Sequence, residues 1–145
     1  MHSAPAHRVA LMVSPRNSLA ASNSTTKLTA LAARPDVDGV IVDLGADPRI
    51  AALNAQADGN TACPYAKNLV AGTIKELIDK YRTLNPISYI VLVGGDSVIP
   101  FYRHPDQALL ASEKNYVPPV KDSTASQASL KLGYVLGQDY YGTLC

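Results

Sequence analysis

PYAKNLVAGTIKELIDKYRTLNPISYIVLVGGD, residues 64–96, holds both of the periodicities from which an α/β fold is assembled. Pro64 suits the first turn of a helix, where a missing N–H is no loss. Ala66, Leu69, Val70, Ile74, Leu77, Ile78 and Tyr81 follow at three- and four-residue steps and make one apolar stripe. Lys67, Lys75, Asp79 and Arg82 fall mostly off that stripe, Glu76 and Lys80 form an i,i+4 pair, and Asn85-Pro86 stops the helix. At Ile87 the period changes. Ile87 to Val93, apolar apart from Ser88, runs into Gly94-Gly95-Asp96 and reads as a strand.

The same alternation runs upstream. His7 to Ser14 is a short apolar run closed by Ser14-Pro15, which predicts a buried strand. Ser24 to Arg34 predicts a helix capped by Ser24 or Thr25, with Leu28, Leu31 and Ala32 on one face and Pro35 beyond its end. Asp38-Gly39 turns the chain into Val40 to Leu44, a β-branched run, apolar apart from Asp43, that suits a strand covered on both faces. A short helix is expected around Arg49 to Ala57. Strand, helix, strand, helix, strand predicts an α/β fold in three layers: a mostly parallel sheet with helices on both faces, Rossmann-like or caspase-like.

Downstream the pattern changes. Residues 101–128 are rich in Pro, Asp, Ser and Lys without periodicity, which predicts a long loop excursion. Ser129 to Leu136 resumes an alternation that would put Leu130, Leu132, Tyr134 and Leu136 on one face of a strand.

At 145 residues the chain fits a single domain. Its 13 basic and 12 acidic residues leave a formal charge of +1, and the basic residues are scattered. A dedicated nucleic-acid binder needs clustered Lys and Arg, so that class is not expected. No apolar run approaches the ~20 residues of a membrane helix, and the opening residues do not read as a signal peptide. Cys63 and Cys145 are too few for a disulfide scaffold or a zinc site, and whether they pair stays open. No cofactor is indicated: the dinucleotide and phosphate-loop glycine patterns are both absent.

Three residues stand out as a candidate ligand or loop site. Asp96 follows the third strand, where ligands of open α/β sheets bind; the plainer reading is that it accepts hydrogen bonds from loop N–H groups. His104 lies in the excursion, and Asp139 adjoins Tyr140-Tyr141. A Cys63–His104 thiol dyad is a further alternative, set against a packed cysteine and an exposed histidine. Asp36, Asp38, Asp43 and Asp47 bracket the second strand without calcium-loop spacing and read as solvated loop acids.

Tyr89-Ile-Val-Leu-Val-Gly-Gly-Asp96-Ser-Val-Ile-Pro100, followed by Gly133-Tyr-Val-Leu-Gly-Gln-Asp139-Tyr-Tyr-Gly142, resembles the gingipain-type cysteine peptidases of caspase-like fold. The resemblance covers Cys63 to Gly142, and the region before Gly59 in outline. It implies a hydrophobic strand ending in Val-Gly-Asp and Ile-Pro, with the catalytic His-Gly pair and Cys well beyond Gly142. This sequence has no His-Gly pair, and Cys145 follows too soon to be the nucleophile, so no catalytic residue is carried over. The expectation is a non-catalytic N-terminal fragment of a larger gingipain-like domain, inactive alone, whose parent would act on a peptide or protein. An extracytoplasmic or cell-surface setting is implied by the resemblance only. A free-standing ligand- or protein-binding module without catalysis is the alternative. An incomplete sheet would also leave an edge open to self-association.

Overall fold

The protein is described by a computed structural model covering residues 9–13, 21–115 and 120–143, the backbone alone at 21–24. Three strands, β1 (Val9–Val13), β2 (Gly39–Asp43) and β3 (Tyr89–Val93), form a parallel sheet in the order β2-β1-β3. The register is uniform: Val9 lies opposite both Gly39 and Tyr89, and Val13 opposite both Asp43 and Val93. A parallel pair needs a crossover between its strands. Helix α1 (Ala21–Ala32) provides the first, and α2 (Pro48–Gly59) with α3 (Pro64–Leu84) the second.

Strand alternation divides the sheet into two faces. Ala10, Met12 and Val42 join Val70, Ala71, Ile74 and Ile78 of α3 in one core cluster. Leu11 points the other way, towards Gly39 and Ala32 of α1. Gly39 is required there by space. A Cβ on it would lie 3.0 Å from the Ala32 Cα and 3.2 Å from Leu11 Cδ1. Before it, Asp38 takes the left-handed conformation (φ 44°), which Asp tolerates better than most residues.

Several expectations need correction. Helix α1 begins at Ala21, so Ser24 and Thr25 lie inside it and are not its cap. The α3 stripe is rotated: Leu69 is 53% exposed, while Lys67 and Lys75 are buried. Their long apolar stems cover the core while each ammonium reaches an acid, Asp58 for Lys67 and Asp79 for Lys75. Glu76 pairs across to Arg49 of α2 at 3.1 Å, not with Lys80.

The stretch 101–128 is not all loop. It contains β4 (Tyr102–Pro105), a 3₁₀ turn (Glu113–Asn115) and the start of α4 (Ala125–Lys131). The expected strand over Ser129 to Leu136 is divided. Thr124 caps α4, accepting from the Gln127 N–H, and Gly133 (φ 78°) turns the chain into β5 (Tyr134–Gly137). Leu130 is therefore buried and Leu132 exposed, against the shared face read from their spacing. Strands β4 and β5 form a separate antiparallel pair, with Tyr102 opposite Gly137. Ser14-Pro15 and Tyr116 lie outside the described residues, as does Cys145.

Gly39→Ala is expected to lower unfolding stability by about 1–3 kcal/mol, because α1 backbone must move to admit the methyl. Gly59→Ala, at the end of α2 with nothing within 4 Å of its would-be Cβ, is expected to raise it by about 0.5–1 kcal/mol. Urea unfolding of both variants checks the pair.

Candidate functional site

Beyond β3 the chain turns over residues 96–98, the amides of Val98 and Ile99 donating to the Gly95 carbonyl, and the Asp96 side chain meets residues of β4 and α4. Its carboxylate is met by Arg103, which is fully buried on β4. The guanidinium is bidentate, Nη1 to Oδ1 and Nη2 to Oδ2, both at 2.6 Å. Phe101 N–H donates to Oδ1 at 2.9 Å and the Ser126 hydroxyl to Oδ2 at 2.6 Å. Four donors thus fill the carboxylate's acceptor positions. Arg103 also donates from Nε to Ser129 Oγ and from Nη1 to the Phe101 carbonyl.

Burial would raise the Asp96 pKa, but the Arg103 hydrogen bonds and charge, with Ser126 and the Phe101 amide, hold it below the usual carboxylate range. Asn68 of α3 secures the same strand: its side-chain amide donates to the Arg103 carbonyl at 2.9 Å, and its Oδ1 accepts the Arg103 N–H at 2.7 Å. It takes the place that a neighbouring strand would have on that edge of β4. Tyr141 closes the arrangement, its hydroxyl donating to the Pro100 carbonyl, and burial pushes that hydroxyl's pKa up.

Asp96, His104 and Asp139 are not brought together. His104 is exposed on β4, its ring tilted against Tyr102 with centroids 4.8 Å apart. Tyr102 in turn stacks on Tyr140 at 4.1 Å. Gly137 makes room for the imidazole, since a Cβ there would lie 3.1 Å from it. Asp139 opens a 3₁₀ turn (Asp139–Tyr141) beside β3. Cys63 is exposed at the start of α3 and makes no hydrogen bond with His104, so the proposed thiol dyad is not assembled in this structure. Of the four acids around β2, Asp43 accepts from Gly45 N–H, Asp47 caps α2 and pairs with Arg49, and Asp36 pairs with Arg34. Among the described residues no group of three His, Cys, Asp or Glu could hold a metal ion.

A cleft of about 370 Å³ lies on the outer side of the Asp96 network. It is lined by Asp58, Thr61, Lys67, Asp96, Ser97, Lys121, Thr124, Ala125 and Ser126. Sequence reasoning located Asp96 through its position after a strand. It missed Arg103, Asn68, Ser126 and Lys67, whose roles depend on contacts between distant elements.

A second groove, about 610 Å³, runs along β3. Arg82, Tyr89, Val91, Gln138, Asp139 and Tyr141 are among its walls, and Arg82 reaches over to donate to the carbonyls of Gly142 and Thr143.

The chain matches no protein-family model, no curated protein and no solved structure.

Arg103→Met is expected to cost about 3–5 kcal/mol, because it strands a largely buried carboxylate, and Asp96→Leu added to it should recover most of that loss. The sign with pH follows from the depressed Asp96 pKa. Its stabilisation is complete above the unfolded-state value near ~4 and is lost as pH falls through the lower folded value. Chemical denaturation from neutral pH to about pH 2 should therefore show a steeper acid loss for the wild type than for Asp96→Asn.

Proposed function

We propose that this chain is the first, non-catalytic part of a larger α/β domain of the gingipain-like, caspase-fold kind, in which it supplies half of the sheet and a cleft-bordering segment within 101–128. The observation that carries this reading is β3. Its sequence, Tyr-Ile-Val-Leu-Val, is that of an interior parallel strand, apolar at every position. Yet among the described residues it pairs only with β1. On the α1 side of the sheet Tyr89 is 68% and Val91 40% exposed. Edge strands are ordinarily guarded by charge, proline or a bulge, and β3 has none of these.

A next parallel strand laid in the groove beside β3, with a helix over Tyr89 and Val91, would satisfy both edge and face. The contact between Tyr141 and Pro100 supports the same reading. It joins the two segments on which the resemblance rests, the strand ending in Asp96 and Ile99-Pro100, and the Asp139-Tyr140-Tyr141-Gly142 segment. In such a parent domain, acyl transfer would use a Cys thiolate with a His base, neither of them supplied by this chain.

The test is amide hydrogen exchange at β3, alone and with the polypeptide encoded downstream of Cys145 joined on. The 145-residue chain should show rapid exchange at the β3 amides turned away from β1, and the longer chain should protect them. Val91→Lys should leave the short chain folded and abolish that protection. A stop codon after Cys145, or a longer chain with β3 still unprotected, overturns the reading. Protection that grows with concentration of the short chain would instead assign the edge to a second copy. Hydrolysis of peptides by the short chain, lost in Cys63→Ala, would also overturn it.

A further inference from the structure

We infer that the cleft beside Asp96 is a binding site for the oxyanion head of a small molecule, a phosphate or carboxylate group, held by Lys67 and Lys121. The argument starts from two buried lysines on one helix. Lys75 has a side chain 5% exposed, and its ammonium lies 2.7 and 2.8 Å from the two oxygens of Asp79, the spacing of a satisfied charge-assisted pair. Lys67, two turns earlier, is as deeply placed at 4%. Among the described residues its ammonium has a single hydrogen bond, to Asp58 Oδ1 at 3.4 Å, and Asp58 itself is about half exposed.

An ammonium carries three donors, and one taken out of water with a single long contact is under-compensated. Lys67 is among the residues that line the cleft, so a partner for its remaining donors is placed there.

The rest of the lining suits an anion. Lys121 is exposed, and among the described residues the hydroxyls of Ser97 and Thr61 have no hydrogen-bond partner. Of the two carboxylates, Asp96 has its acceptor positions filled and its charge met by Arg103, while Asp58 is held by Lys67. The lining charges of Lys67 and Lys121 balance those of Asp58 and Asp96, and Arg103, buried behind Asp96, adds one positive charge. The volume of about 370 Å³ is that of a small-molecule pocket. This inference is independent of the proposed place of the chain in a larger sheet, because the cleft and the β3 groove have no lining residue in common.

The test is titration of the ¹⁵N-labelled chain with inorganic phosphate and with acetate, at ionic strength fixed with chloride. Saturable shifts at Lys67, Ser97 and Lys121 are expected, and the ratio of phosphate to acetate affinity identifies the head group. Lys67→Met should weaken binding about tenfold or more. Lys121→Ala, at an exposed position that leaves folding untouched, should weaken it several-fold, so the proposal stays testable if the Lys67 variant does not fold. Lys75→Met should leave it unchanged. Linear, unsaturated shifts for both anions overturn the proposal, as does saturation that survives Lys121→Ala and Lys67→Met alike.

Discussion

The Asp96–Arg103 pair ties the end of the parallel sheet to the antiparallel pair β4–β5, which also meets α3 through Asn68 and the common core through Tyr102, Tyr140 and Tyr141. Asp96 leaves the parallel sheet; Arg103 sits in the antiparallel pair β4–β5; Ser126 and Ser129, which complete the network, belong to α4. An ion pair out of water repays its desolvation only where the geometry is close and the remaining lone pairs are filled. Here both conditions hold, with bidentate contacts at 2.6 Å and two further donors on the carboxylate. The pair adds little net stability against an apolar replacement of both residues. What it adds is direction, since a planar guanidinium meets a carboxylate in one orientation, and that orientation fixes where β4 leaves the β3 turn.

That dependence explains which parts of the fold could be read from the chain. Strand β1 and one face each of β2, β3 and α3 pack into the core mainly through apolar side chains, so their period is written in residue type. Around β4 the burial is carried by a cation. Arg103 occupies the inward position between Tyr102 and His104, and without knowledge of Asp96 the tripeptide reads as polar loop. Helix α4 was illegible for a related reason. Its seven residues include one buried leucine, Leu130, and its identity depends on the Thr124 cap and the left-handed Gly133, whereas the alternation of leucines and Tyr134 imitates a strand.

The candidate site was legible to the same extent. Position after a strand singled out Asp96, and the reading that it accepts loop N–H groups describes its contact with Phe101. No rule of spacing ties an acid at 96 to a base at 103 through a turn, or an amide at 68 to the backbone of that same base. Histidine and cysteine drew notice for their chemistry alone. In the fold His104 lies in a ladder of rings with Tyr102 and Tyr140, and Cys63 lies at the start of a helix on the surface.

Lys67 and β3 present one kind of problem at two scales. A buried ammonium with one long contact and an apolar strand with one bare edge are each groups whose physical requirements exceed what the described residues give them. Neither is explained by local disorder of sequence preference: Lys67 lies in a well-formed helix, and β3 has the composition of a sheet centre. Conflicts of this kind with the surrounding fold are what the proposed oxyanion at Lys67 and the proposed strand beside β3 would each relieve. For Lys67 the deficit is one negative group within a cleft of small-molecule size. For β3 it is a row of backbone donors and acceptors and an apolar face, which a small molecule cannot satisfy and a strand with its helix can.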